Sequence, residues 1–199
     1  KTPTSGGGSG DGSIGGGSSS PLSDKPDVPE IEKPQVPDFI DVPSDAYYAD
    51  AVKWAVKHGI ISGTSMTTFS PNEPCTRAQM VTFLWRANGS PVSKKPNPFT
   101  DVSEHDYYYD AVLWASEKGI TSGTSPVEFS PDTVLTRSQA VTFLWRANGS
   151  SLVSHNYFED VAPDTYYAKA VAWAASNGIT AGTGDNPFSP AAECSRAQS

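Results

Sequence analysis

Two cysteines, two methionines and three histidines are all that this 199-residue chain offers in soft or metal-binding side chains. Cys75 and Cys194 stand far apart with no CxxC spacing, and His58, His105 and His155 are scattered, so no zinc site is expected and no metal or cofactor is called for. No apolar run approaches the about 20 residues that cross a bilayer. Basic residues number 14 against 22 acidic ones, a formal charge of −8, and no Lys/Arg cluster interrupts the pattern. A nucleic-acid partner, which needs a basic face, is therefore excluded as an expectation. The chain begins at Lys1 with neither an initiator Met nor a signal segment, and reads as a piece of a longer protein. Nucleophile elbows, phosphate loops, zinc helices and EF-hand loops are also missing.

What is present falls into two regimes. Residues 1–37 hold Gly6-Gly7-Gly8 and Gly15-Gly16-Gly17, followed by Pro21, Pro26, Pro29, Pro34 and Pro37. Gly/Ser runs are flexible coil, and spaced prolines favour extended chain, so the segment is expected to be a linker.

From residue 38 the chain repeats itself three times. Phe39-Ile40-Asp41-Val42, Phe99-Thr100-Asp101-Val102 and Phe158-Glu159-Asp160-Val161 open the copies, about 60 residues apart. Each continues through a tyrosine pair (Tyr47-Tyr48, Tyr107-Tyr108, Tyr166-Tyr167) and a tryptophan (Trp54, Trp114, Trp173). A loop glycine follows (Gly63, Gly123, Gly182), then Phe-Ser-Pro at 69–71, 129–131 and 188–190. The copies close on Thr76-Arg77-Ala78-Gln79, Thr136-Arg137-Ser138-Gln139 and Ser195-Arg196-Ala197-Gln198. The boundaries drawn are 38–90, 91–150 and 151–199.

Each copy predicts helix, loop, helix. In the first, a helix over Ala46–His58 carries a polar stripe of Asp50, Lys53 and Lys57 and ends at Gly59. The second helix starts at a capping box, Thr76 with Gln79, and runs into Met80-Val81-Thr82-Phe83-Leu84-Trp85, apolar enough to be enclosed. The third copy stops at Ser199, one turn into that helix.

These landmarks, in this order and three times over, resemble the S-layer homology (SLH) domains of bacterial surface proteins. The resemblance implies an all-α fold, three helix-loop-helix repeats around a pseudo-threefold axis in a monomer, with the third repeat truncated. It also implies a non-catalytic anchor on the surface of a Gram-positive cell, secreted and bound to a secondary cell-wall polymer through grooves between repeats. The polymer would be a pyruvylated or otherwise anionic glycan linked to peptidoglycan. An alternative is a helical-repeat module that binds another protein. The chain departs from the family pattern at Gln79, Gln139 and Gln198, where a glutamate is usual.

Arg77, Arg137 and Arg196, each at the first position of a helix, are the leading ligand candidates, since a guanidinium forks onto a carboxylate while helix amides add positive potential. Their structural alternative is a salt bridge to Asp41, Asp101 or Asp160. Those aspartates could accept sugar hydroxyls, with a structural role favoured. Trp54, Trp114 and Trp173 could stack on a sugar face, with core packing favoured. Gly63, Gly123 and Gly182 could admit a ligand to the backbone, with loop geometry favoured. Cys75 and Cys194 hold equivalent places in copies one and three, and equivalent positions around a threefold are expected to lie too far apart to bond, leaving free or buried thiols.

Overall fold

A computed structural model describes residues 38–153 and 158–199. The linker assigned to residues 1–37 lies outside the described residues, as does His155. Five helices follow in order: α1 (Ala49–Lys57), α2 (Arg77–Ala87), α3 (Tyr109–Glu117), α4 (Arg137–Ala147) and α5 (Ala168–Ser176). No strand is present among the described residues. Three isolated antiparallel bridges, Pro74–Ser195, Thr76–Val134 and Thr136–Glu193, join the repeats instead.

The first helix of each copy begins later than its apolar pattern suggests. Ala46 N–H bonds Pro43 O and Ala49 N–H bonds Ala46 O, so residues 46–48 are spent in turns before α1 starts at Ala49. Its end matches the expectation. Gly59 sits at φ 68°, with Gly59 N–H on Val56 O and Ile60 N–H on Ala55 O. This is the Schellman arrangement, which only a residue tolerant of left-handed backbone closes without strain.

Both capping boxes form. Thr76 accepts from the Gln79 amide while Gln79 Oε1 accepts from the Thr76 amide, and Thr136 and Gln139 do the same. In the third copy Ser195 N–H donates to Gln198 Oε1 at 3.1 Å, and Ser199 N–H reaches Ser195 O at 3.1 Å, the first helical bond. Glutamine thus serves this geometry in place of glutamate.

Packing follows from the two helix types. α2 lies against α3 and α4, and α4 lies against α5. α2 buries Ala78, Met80, Val81 and Leu84, which join Val112, Trp114, Ile120 and Phe129 of the second copy in the largest core. A second core gathers Val141, Phe158, Val171, Trp173 and Phe188. α1 joins a small third core of Phe39, Val52, Ile61 and Phe69 that only Phe83 reaches from α2, and its Trp54 remains 56% exposed.

At the junction of the copies, residues 75, 135 and 194 close a ring of three backbone hydrogen bonds, each 2.8 Å. Cys75 N–H donates to Cys194 O, Cys194 N–H to Leu135 O, and Leu135 N–H to Cys75 O. A cyclic relation of this kind is what a pseudo-threefold axis requires. Both cysteines are free and buried, as expected. The expectation that threefold-related positions lie far apart is corrected: on the axis itself the radius is small, and the two backbones are in direct contact.

Candidate functional site

The three arginines do not form the salt bridges considered for them. Each reaches into the next copy and grips the carbonyl of its Phe-Ser-Pro turn. Arg77 Nε donates to Phe129 O at 2.9 Å, Arg137 Nε to Phe188 O at 2.9 Å, and Arg196 Nε to Phe69 O at 3.0 Å. The order is cyclic: copy one holds two, two holds three, and three holds one. Each guanidinium also lies over the ring of the phenylalanine it grips, 4.8–4.9 Å from the centroid. Arg77 and Arg196 are only 3% and 6% exposed, whereas Arg137 is half-buried. A buried guanidinium needs such partners, since an unpaired buried charge costs several kcal/mol. Burial holds Arg77 and Arg196 below the usual arginine range, with nearby tyrosine and aspartate charges opposing it.

The aspartates grip the same turns from within their own copies. Asp41 Oδ1 and Oδ2 accept from the amides of Phe69 and Ser70 at 2.8 and 2.7 Å. Asp101 takes Phe129 and Ser130, and Asp160 takes Phe188 and Ser189, at 2.7–2.9 Å. Each serine stands at φ 58°, an unfavourable region for a residue with a side chain, and the carboxylate bond holds it there. Each phenylalanine is therefore clamped twice, its N–H by an aspartate and its C=O by an arginine from the neighbouring copy. The structural role favoured for the aspartates fits this geometry.

Burial alone would raise the Asp41 and Asp160 carboxyls, but the two amides on each outweigh it and hold both below the usual carboxylate range. A depressed native pKa contributes stability that is complete above the unfolded value and is lost as pH falls through the native one. Thermal midpoints are therefore expected to fall as pH drops below about 4. The double substitution Asp41→Asn/Asp160→Asn should flatten that dependence, measured by thermal unfolding across pH 2–6, at the cost of a lower midpoint at neutral pH.

The tryptophans divide. Trp114 and Trp173 are 4% and 8% exposed inside the two main cores, so neither offers a face to a sugar, which corrects that reading for both. Trp54 is exposed and stacks on His58, ring centroids 4.7 Å apart. The glycines serve packing. A Cβ at Gly123 would come within 2.4 Å of Glu128 O and 2.7 Å of the Phe99 ring, and Gly63 and Gly182 are as crowded. These atoms belong to the protein, so the lost side chain admits the loop rather than a ligand.

Where copy two meets Arg77 of copy one and Tyr166 of copy three lies a cavity of about 330 Å³. Arg77, Gly123, Gln139, Arg146 and Tyr166 line it, together with the Thr121 loop. Thr121 Oγ1 accepts from Gly123 N–H at 3.2 Å and from Arg77 Nη2 at 3.5 Å, which ties the arginine to the groove floor. Thr180 does the same for Arg137 and Gly182. In the first copy Ile61 stands at this place, and Arg196 Nη2 turns to Ser62 O at 2.9 Å instead. The three junctions are thus not chemically equal. Arg146 is the residue that sequence reasoning passed over. It donates through Nη1 to Ile120 O at 3.0 Å and lines this cavity and a neighbouring one that reaches Ser116 and Pro126. Its signal was the Leu-Trp-Arg-Ala-Asn-Gly ending shared by α2 and α4.

A family model described as the S-layer homology domain matches residues 38–81, 98–141 and 157–198. The chain is 40% identical over 163 residues to the surface-layer 125 kDa protein of Lysinibacillus sphaericus, covering 80% of this chain and 13% of that one. It is 32% identical over 168 residues to an endoglucanase of Bacillus sp. strain KSM-635, covering 81% and 18% respectively. A cell surface protein of Thermoanaerobacter kivui is 32% identical over 138 residues, covering 66% and 17%. The chain thus spans less than a fifth of the length of these relatives. No helix among the described residues is long and apolar enough to cross a membrane. Three matched repeats, closed into one ring by their arginines and by the bonds at residues 75, 135 and 194, place this chain in the S-layer homology family as a cell-surface anchoring module.

Proposed function

We propose that the module binds an anionic or pyruvylated secondary cell-wall glycan, non-catalytically, in the inter-repeat groove lined by Arg77, Arg146 and Tyr166. The observation that carries this reading is the pair Arg77 and Arg146 lining one cavity on a chain of net charge −8. Such a chain repels an anionic polymer at long range, so binding must come from local cations. Arg146, less buried than Arg77, supplies a guanidinium whose remaining donors suit a ketal carboxylate. Tyr166, 59% exposed, offers a ring for a pyranose face at the groove wall. A cavity of about 330 Å³ falls in the range of small-ligand sites. Arg77 positions the groove by tying the capped helix of copy one to the Thr121–Phe129 loop of copy two.

The test is co-sedimentation with purified sacculi before and after extraction of the secondary polymer. Binding is expected to disappear with the polymer. Arg146→Ala should weaken it about tenfold, the loss of one charged hydrogen bond to the glycan, with the chain still folded although its midpoint drops for want of the bond to Ile120 O. Undiminished retention on stripped peptidoglycan, or full binding by Arg146→Ala, would sink this reading and favour a protein partner.

A further inference from the structure

Cys75 and Cys194 meet where the chain's first and third copies join. The Pro74–Ser195 bridge is antiparallel, which sets Cys75 directly opposite Cys194, and the Cys75 amide bonds the Cys194 carbonyl at 2.8 Å. Cys194 N–H turns away to Leu135 O, so the pair shares that one bond, and the path along it (Cα–N, N···O and O···Cα, about 1.5, 2.8 and 2.4 Å) leaves the two Cα atoms at most about 6.7 Å apart. That separation lies inside the window of roughly 4.4–6.8 Å that a disulfide needs. Leu135 occupies the third axial position, so no third thiol competes for the pair.

The location matters as much as the distance. Copies one and two, and copies two and three, are continuous in the chain. The seam between copies three and one is crossed only by non-covalent contacts, among them Arg196 on Phe69 and Ser62, and the amides of Arg196 and Ala197 on Glu73 and Pro71. Here the ring would open first under thermal or mechanical load.

We propose that Cys75 and Cys194 form a covalent clasp across this seam, an oxidative modification site in which an Sγ–Sγ bond closes the ring of repeats. The chemistry is thiol–disulfide exchange with a small disulfide, or a disulfide-bearing oxidoreductase, as oxidant. One cysteine thiolate attacks the donor disulfide, which breaks and releases its first thiolate. The second cysteine thiolate attacks the resulting mixed disulfide, forms the Sγ–Sγ bond and expels the second donor thiolate. Two protons pass from the protein thiols to the two donor thiolates, and the donor takes up the two electrons the protein loses. Both thiols are buried at 0% and 2% exposure in the closed ring. Burial raises the Cys75 thiol, and burial together with neighbouring Cys75 pushes Cys194 up to about 11. Exchange therefore runs while the seam is open, during folding or breathing, and the closed ring protects whichever state it encloses.

The experiment refolds the 199-residue chain in oxidised or in reduced glutathione, then unfolds it in denaturant with iodoacetamide for mass analysis. The expected oxidised product is a monomer lighter by two hydrogens that takes up no alkyl group, migrates faster on a non-reducing gel, and melts about 5–10 °C higher than the reduced chain. Cys75→Ala and Cys194→Ala, tested separately, should each remove the difference between the two conditions. Two alkyl groups on the oxidised sample, a disulfide-linked dimer as its main product, or an oxidised monomer that melts no higher than the reduced one would each overturn the proposal. Because the readouts are mass and melting, they stand apart from any glycan binding.

Discussion

Arg77→Ala is expected to lower the stability of the domain by about 3–5 kcal/mol. The guanidinium makes one short charged bond to Phe129 O, a longer one to Thr121, and lies over two rings, Phe129 at 4.8 Å and Phe143 at 5.4 Å. A charged hydrogen bond contributes about 1.5–3 kcal/mol, and a desolvated cation on an aromatic face about 2 kcal/mol. Truncation also leaves Phe129 O buried without its donor and a cavity where the stem lay. Arg77→Lys should recover only part of this, because an ammonium neither stacks on the ring nor presents a planar fork. Arg137→Ala, at a half-buried position with the equivalent partners Phe188 and Thr180 and one ring rather than two, should cost less than Arg77→Ala. Denaturant titration checks the series: midpoints should fall in that order with the slope unchanged. If Arg77→Ala kept its midpoint and lost only glycan binding, the inter-copy clamp would be wrong and the residue would be purely a ligand contact.

That clamp also marks the limit of what local sequence reasoning reaches. The helices were legible because their signals are local. Thr76 with Gln79, and Gly59 after His58, each specify a geometry within a few residues. The threefold ring was legible only through repetition and family resemblance. The partners of Arg77, Arg137 and Arg196 lie between 43 and 134 residues away, in a different copy, and nothing in the Thr-Arg-Ala-Gln box names them. Equal spacing tempts one to pair an arginine with the recurring aspartate of opposite charge. The structure gives both groups to one backbone turn, where each is hydrogen-bonded to the peptide and feels the opposite charge only across the turn. The tryptophans show the converse limit. The three occupy the same register, yet Trp114 and Trp173 are buried while Trp54 is exposed, because a neighbouring capped helix covers only α3 and α5. Burial there is decided by the partner helix and not by the residue's own repeat.

The same comparison yields the second large effect. α3 packs on α2 and α5 packs on α4, while beside α1 there is an apolar cavity of about 270 Å³ lined by Trp54, Ile60, Phe83, Leu84 and Leu144, with Arg196 and Ser199 at its rim. By the cyclic order of the copies, this is the seat for a helix that starts at the Ser195 cap. Copying residues 141–150 onto the chain after Ser199, which itself stands where Ala140 does, is expected to fill it, with the apolar side chains of that segment repeating the contacts α4 makes with α5. Burial of the segment's large apolar side chains, with Trp54 covered in addition, favours ordering, and the helix is already nucleated and capped, so the costly first turn is in place. The expected result is a thermal midpoint higher by several degrees. Trp54 fluorescence gives the specific readout, because the ring moves from water into an apolar seat and its emission should shift to shorter wavelength. A control extension with Pro at its second and sixth positions cannot continue the helix and should leave both midpoint and emission where they are. If the helical extension behaved like the proline control, α1 would not be the place where the ring of repeats is completed.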